Sequence, residues 1–184
     1  MAIHVKTKWH QAANKTIKDL ASVLAINTWK VGVQAVDHIG DENFEFRNVQ
    51  ERFVVLMEIL IFLIQVIDRW SYQHLNEEER NNLITAIVLQ IATIIHDNQN
   101  EWIGTGDYYS QFVEKFNIRA QEYANFSFDN EEPGYQFRCY LGERVLAVMG
   151  DSQDNRWVID QVMDIEIPAA LKIMYRSFKV EFKS

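Results

Sequence analysis

Two consecutive stretches of this chain are apolar on nearly every side of a helix. They are Phe53–Ile67 (FVVLMEILIFLIQVI) and Leu83–Ile95 (LITAIVLQIATII). A surface helix buries one stripe, whereas a helix apolar all round must be enclosed by protein or lipid. The first stretch is shorter than a bilayer span and carries Glu58 and Gln65, and a charge in mid-span is expensive in lipid. Both are therefore expected at the centre of a helical core, and no membrane partner is expected.

The remainder of the sequence fits that reading. Its 184 residues are the length of one domain, with enough apolar residues for a sizeable core. Only two prolines and seven glycines are present, too little punctuation for a many-stranded β protein. A net charge of −8 argues against a nucleic-acid surface. Lys6, Lys8, Lys15, Lys18 and Lys30 near the start, and Lys172, Arg176, Lys179 and Lys183 near the end, read as solvated basic faces. The single cysteine, Cys139, excludes an internal disulfide and suits a reducing compartment. The opening residues lack the apolar run of a signal peptide, so a cytoplasmic location is expected.

Helical spacing runs through the whole chain. Ile17, Leu20, Leu24, Val31 and Ala35 predict a first helix over 14–38, followed by a loop at His38–Asn43. A second helix is expected over 45–74 and a third over 77–98, the latter with Asn76 and Glu79 spaced as a capping box. The short connection between them makes an antiparallel hairpin, the expected centre of the bundle. Tyr109, Phe112, Val113, Phe116, Ala120 and Tyr123 form the aromatic face of a fourth helix. After an acidic turn at Asp129–Gly134, Pro133 is expected at the first position of a fifth helix ending at Gly150. A sixth helix starts near Asp154 and should kink at Pro168. Gly32 and Gly142 fall in mid-helix, as at close helix crossings. The expected fold is a single all-α domain, a bundle of about six helices.

Polar residues within the apolar helices are the first candidates for a site, because a buried polar group needs a partner. Glu51, Glu58, Gln65 and Tyr72 recur every seven residues on the second helix, and Arg69 reaches the same stripe. Gln90 and Asp97 are seven apart on the third. If the two stripes face one another, Glu58, Gln65, Arg69 and Gln90 wall a polar binding pocket; the plainer reading is that they set helix register.

A second reading starts from His96-Asp97. Adjacent His and Asp bind a divalent metal in HD-type phosphohydrolases, and Asp160 and Asp164, on one face of the sixth helix, can complete such a shell. The metal would activate water, with Glu58 as base if it shares the pocket. The residues after Asp97 do not continue that family's pattern, so no family resemblance is claimed. Other catalytic patterns are absent: no Glu-x-x-His pair, no His-x-x-x-His pair and no phosphate-binding glycine loop. Cys139, in an apolar context, reads as a buried structural thiol.

The aromatic content supplies the remaining candidate. Trp9, Trp29, Trp70, Trp102 and Trp157 exceed what a small core demands, and Trp70 and Trp102 stand at helix ends, where an indole covers a rim or enters a partner. The function expected from the sequence is a cofactor-free binding or interaction protein. It would self-associate, as a homodimer, through apolar and aromatic helix surface, or take a protein or apolar small-molecule partner. The alternative is the metal-dependent hydrolase.

Overall fold

Helix α1 (Ile17–Asp41) opens the computed structural model, which describes residues 16–41, 45–150 and 157–182. The expected start at Asn14 lies outside these residues. A reciprocal cap begins α1: Thr16 Oγ1 accepts from the Asp19 N–H at 3.2 Å, and the Asp19 carboxylate accepts from the Thr16 N–H at 3.1 Å. The helix continues to Asp41 through the first part of the expected His38–Asn43 loop, because Val36 and Ile39 extend its buried stripe for another turn; the rest of that loop lies outside the described residues.

Helix α2 (Val49–Ser71) is shorter than expected at both ends. Asn48 Oδ1 accepts from the Glu51 N–H at 2.8 Å and so fixes its start. Every residue from Val55 to Ile67 is buried, so this helix is the enclosed centre that its composition requires. Helix α3 (Glu77–Trp102) begins at the expected capping box and runs four residues past Asn98. It is not enclosed. Thr85, Leu89 and Thr93, spaced four apart, form an outer stripe, while Leu83, Ile87, Val88, Ile91, Ala92 and Ile95 face inward. Its most extensive packing is against α1 and the following helix, α4 (Tyr108–Tyr123), with α2 a lesser neighbour.

Helix α4 buries Phe112, Phe116 and Tyr123 as its aromatic spacing predicts. Tyr123, Phe62 and Phe137 meet with ring centroids 4.6 to 6.1 Å apart. The acidic turn that follows closes a minimal antiparallel hairpin of β1 (Phe128–Asp129) and β2 (Glu132–Pro133). Its two linking residues, Asn130 (φ 53°) and Glu131 (φ 63°), both take the left-handed conformation that tight two-residue hairpin turns demand. Pro133 therefore ends a strand instead of starting a helix. Gly134 precedes α5 (Tyr135–Met149), and Gly150 ends it.

The sixth helix is described from Trp157; its expected start near Asp154 lies outside the described residues. It comprises α6 (Trp157–Asp160), a π-helical stretch (Gln161–Glu166) and α7 (Ile167–Phe182). Pro168 explains the wide turn. Its ring clashes with the preceding turn and it offers no N–H, so the chain expands just before it, and Ile167 N–H bonds Val162 C=O five residues back.

Both mid-helix glycines sit at crossings. A Cβ on Gly32 would lie 2.7 Å from Leu60 Cδ2, and one on Gly142 would lie 3.0 Å from Ile159 Cγ2 and 3.3 Å from Ile159 Cα. The result is an all-helical bundle of six helices among the described residues, with α2 innermost. No helix among them is long and apolar enough to cross a membrane.

Candidate functional site

The polar stripes of α2 and α3 do not meet. Glu58 turns to α4, where Lys115 Nζ donates to its Oε1 at 2.9 Å. Arg119 grips both oxygens, Nε to Oε2 at 2.9 Å and Nη2 to Oε1 at 3.0 Å. Arg119 Nη1 also reaches Glu122 at 2.9 Å, and Glu122 accepts from Tyr140 OH on α5. Arg69 likewise reaches the α4 end, its Nη2 donating to Tyr123 C=O at 3.2 Å. Gln90 instead donates to Ser22 Oγ of α1 at 3.0 Å, as α3's packing on α1 requires. Gln65 is buried within α2. The expected pocket wall of Glu58, Gln65, Arg69 and Gln90 is thus divided among separate helix contacts.

Electrostatics assign Glu58 a holding role. Burial pushes its carboxyl up, but the Arg119 hydrogen bonds and the Lys115 charge outweigh that and leave it below its ordinary value of 4.5. A carboxylate so held is a poor proton acceptor near neutral pH, which removes it as a general base. Lys115 and Arg119 did not figure among the sequence candidates. Their signal was present as two cations four apart on α4, beside its aromatic face.

The candidate metal ligands are also dispersed. His96 Nε2 lies 2.9 Å from Asn100 Nδ2, and its ring faces Tyr108 at 6.5 Å. Asp97, Asp160 and Asp164 are exposed, the last two on the sixth helix. Among the described residues no group of three or more His, Cys, Asp or Glu side chains is placed to hold a metal ion. His38 pairs with the buried Glu166 of the π-helical stretch, Nδ1 to Oε1 at 2.7 Å, joining α1 to the sixth helix. Cys139 is only partly buried, 3.8 Å from Glu143 Oε1. Burial first, and the Glu143 charge second, push its thiol up, away from the thiolate a nucleophile needs.

The tryptophans expected at helix ends part company. Trp70 is buried, with Nε1 donating to Glu131 C=O at 2.8 Å, so it belongs to the core. Trp102 is 66% exposed and forms one wall of a cleft of about 290 Å³ between α1, the start of α2 and the end of α3. Trp29, Val33, Val36, Val49, Phe53 and Leu56 supply the rest of its apolar lining.

Its two polar rim residues are already engaged. Arg52 pairs with Asp37, and Asn98 Nδ2 donates to Ile94 C=O at 2.8 Å. Val49 of the lining is exposed, exposed Ile103 follows Trp102 in sequence, and exposed Ile26 stands one turn before Trp29. An aromatic cleft whose charge is balanced and whose neighbours are exposed and apolar suits binding by shape and desolvation. Comparison of this chain with known protein families, curated proteins and solved structures gives no match.

Proposed function

We propose that this chain is an interaction protein that pairs with a second copy of itself through the Trp29–Trp102 face. The observation that carries this reading is an apolar cleft whose own lining includes the 66% exposed Trp102, with exposed Ile103 next to it in sequence. A two-fold interface uses the same patch on both copies, so one exposed apolar patch serves both sides. The Trp102 edge of each copy then packs against the same face of the other.

Charge supports the same surface. The whole chain carries −8, which makes two copies repel at most orientations. Here the Arg52 charge is balanced by Asp37, so approach through this face carries little penalty. The single cysteine fits the cytoplasm as its setting. An apolar small molecule is the second reading, favoured by a cleft volume of about 290 Å³, near the lower bound for ligand sites.

Sedimentation velocity over a dilution series tests the pairing. The expected result is a reversible dimer that Trp102→Ala converts to monomer. A wild-type chain that stays strictly monomeric at high concentration removes the proposal.

A further inference from the structure

The hairpin tip at Asn130-Glu131 separates two clefts of similar size and different charge. On the α2–α3 side, a cleft of about 450 Å³ is lined by Arg69 of α2, Arg80 of α3, Tyr72 and Gln73 between them, and Phe128, Asn130 and Glu131 of the hairpin. On the α7 side, a cleft of about 470 Å³ sets Arg138 and Lys172 against Glu131 and Glu132, a balanced group. The excess of positive charge therefore lies on the α2–α3 side.

The two guanidiniums there are incompletely satisfied. Arg69 Nη2 has the Tyr123 carbonyl, yet its Nε is buried with no hydrogen-bond partner. Arg80 lies over the Tyr72 ring at 5.3 Å, and its buried Nε is 3.6 Å from Asp68 Oδ1, within ion-pair range but beyond hydrogen-bond reach. A buried charged donor without an acceptor bears its full desolvation cost. Asp68, beside the cleft and paired with Arg80, and Glu131 of the lining are the acids near these two cations.

Glu131, the acid of the lining, is engaged elsewhere. Its carboxylate accepts from Tyr175 OH at 2.5 Å and Lys179 Nζ at 3.4 Å, both on α7. The Trp70 indole holds its backbone carbonyl. The hairpin wall is thereby fixed before anything binds, and the position of Arg69 in the last turn of α2 accounts for its charge but not for its unbonded Nε.

We propose that Arg69 and Arg80 together hold an oxyanion, the phosphate or carboxylate head of a small molecule seated in this cleft. Guanidinium N–H forks match the paired oxygens of either group, and Arg69 and Arg80 are the two cations among the residues lining this cleft.

Nitrogen-edited NMR of the full chain reads these Nε–H groups directly. Inorganic phosphate and acetate are titrated in separately at constant ionic strength. The expected result is saturable shifting of the Arg69 and Arg80 Nε–H signals, while that of Arg47, bonded to Glu51 at 2.9 Å, stays still. Phosphate acting alone identifies a phosphate head, acetate alone a carboxylate, and either supports the site. Arg80→Gln, at a half-buried position, should weaken binding about tenfold or more. Arg69→Lys, which keeps the charge and loses the fork, provides the second variant should the first fail to fold. Shifts that never saturate, that include Arg47 equally, or that persist unchanged in the variants overturn the proposal.

Discussion

Arg119 of α4 holds the Glu58 carboxylate of α2 in a two-pronged grip, with N–O distances of 2.9 and 3.0 Å, and that carboxylate is almost completely buried. Removing Glu58 leaves Arg119 with the more exposed Glu122, and removing Arg119 leaves the buried Glu58 with Lys115, so Glu58→Ala should cost about 2 kcal/mol in urea unfolding, less than a fully stranded buried charge would. Arg119→Ala should cost nearly as much, and the double variant clearly less than the sum. Additive losses would show that the two side chains act independently.

The same carboxylate sets a pH dependence. Its folded value lies below the ordinary 4.5, so its contribution is complete above that pH and is lost as pH falls through the lower folded value. Stability plotted against pH should therefore fall less steeply below about 4.5 in Glu58→Gln than in the wild-type chain. Parallel curves from pH 5 to 3 would place the acid sensitivity elsewhere.

Tyr123 carries a cost that one atom removes. Its ring packs against Phe62, Phe126 and Phe137, its hydroxyl is buried with no hydrogen-bond partner among the described residues, and burial pushes its ionisation well above the ordinary 10. Tyr123→Phe keeps the ring contacts and deletes the unsatisfied group, so it should raise stability by about 1 kcal/mol. A lower urea midpoint would mean that the hydroxyl has a partner, such as bound water.

How much of this was legible beforehand depends on how local each cause is. The enclosure of α2 follows from the composition of Val55–Ile67, and the α3 start from the spacing of Asn76 and Glu79, so both were readable. The exposure of α3 was not, because Thr85 and Thr93 are small and Leu89 is apolar, leaving a stripe that looks like core. Likewise, nothing within α2 says that Glu58 faces Lys115 and Arg119, 57 and 61 residues on; helix rotation decides it. The cleft was visible only as a surplus of tryptophan. Trp29 and Trp102 are on different helices, and Trp70, chemically identical, is core because the hairpin carbonyl of Glu131 meets its indole.

Gly142 should resist the usual benefit of alanine in a helix. Helix propensity favours Gly→Ala by about 1 kcal/mol. The new Cβ, however, would stand 3.3 Å from Ile159 Cα, a backbone atom that cannot swing away. Gly142→Ala is expected to lower stability by about 1 to 2 kcal/mol through overpacking. Gly150→Ala, whose Cβ would meet Leu146 Cδ1 at an ordinary 3.8 Å among the described residues, serves as the comparison and should change little. Chemical denaturation of the two variants side by side reads the difference, and equal midpoints would rule out a tight α5–α6 crossing.

Trp102 and Trp70 should separate association from folding. Trp102 is 66% exposed, so Trp102→Ala should leave the thermal midpoint at high dilution nearly unchanged. The same change should weaken the dimer at least about thirtyfold, since a central buried aromatic contributes 2 kcal/mol or more to an interface. Trp70, 5% exposed and bonded through its indole N–H, should behave in the opposite way. Trp70→Phe should cost about 2 kcal/mol of folding stability and leave the dimer constant of the folded fraction unaltered. Dissociation constants from sedimentation, taken with dilute-limit melting curves, give both quantities for each variant. Equal effects of Trp102→Ala on folding and on dimerisation would mean that its indole packs within its own chain, and the Trp29–Trp102 cleft would then be a closed feature of the bundle instead of its interface.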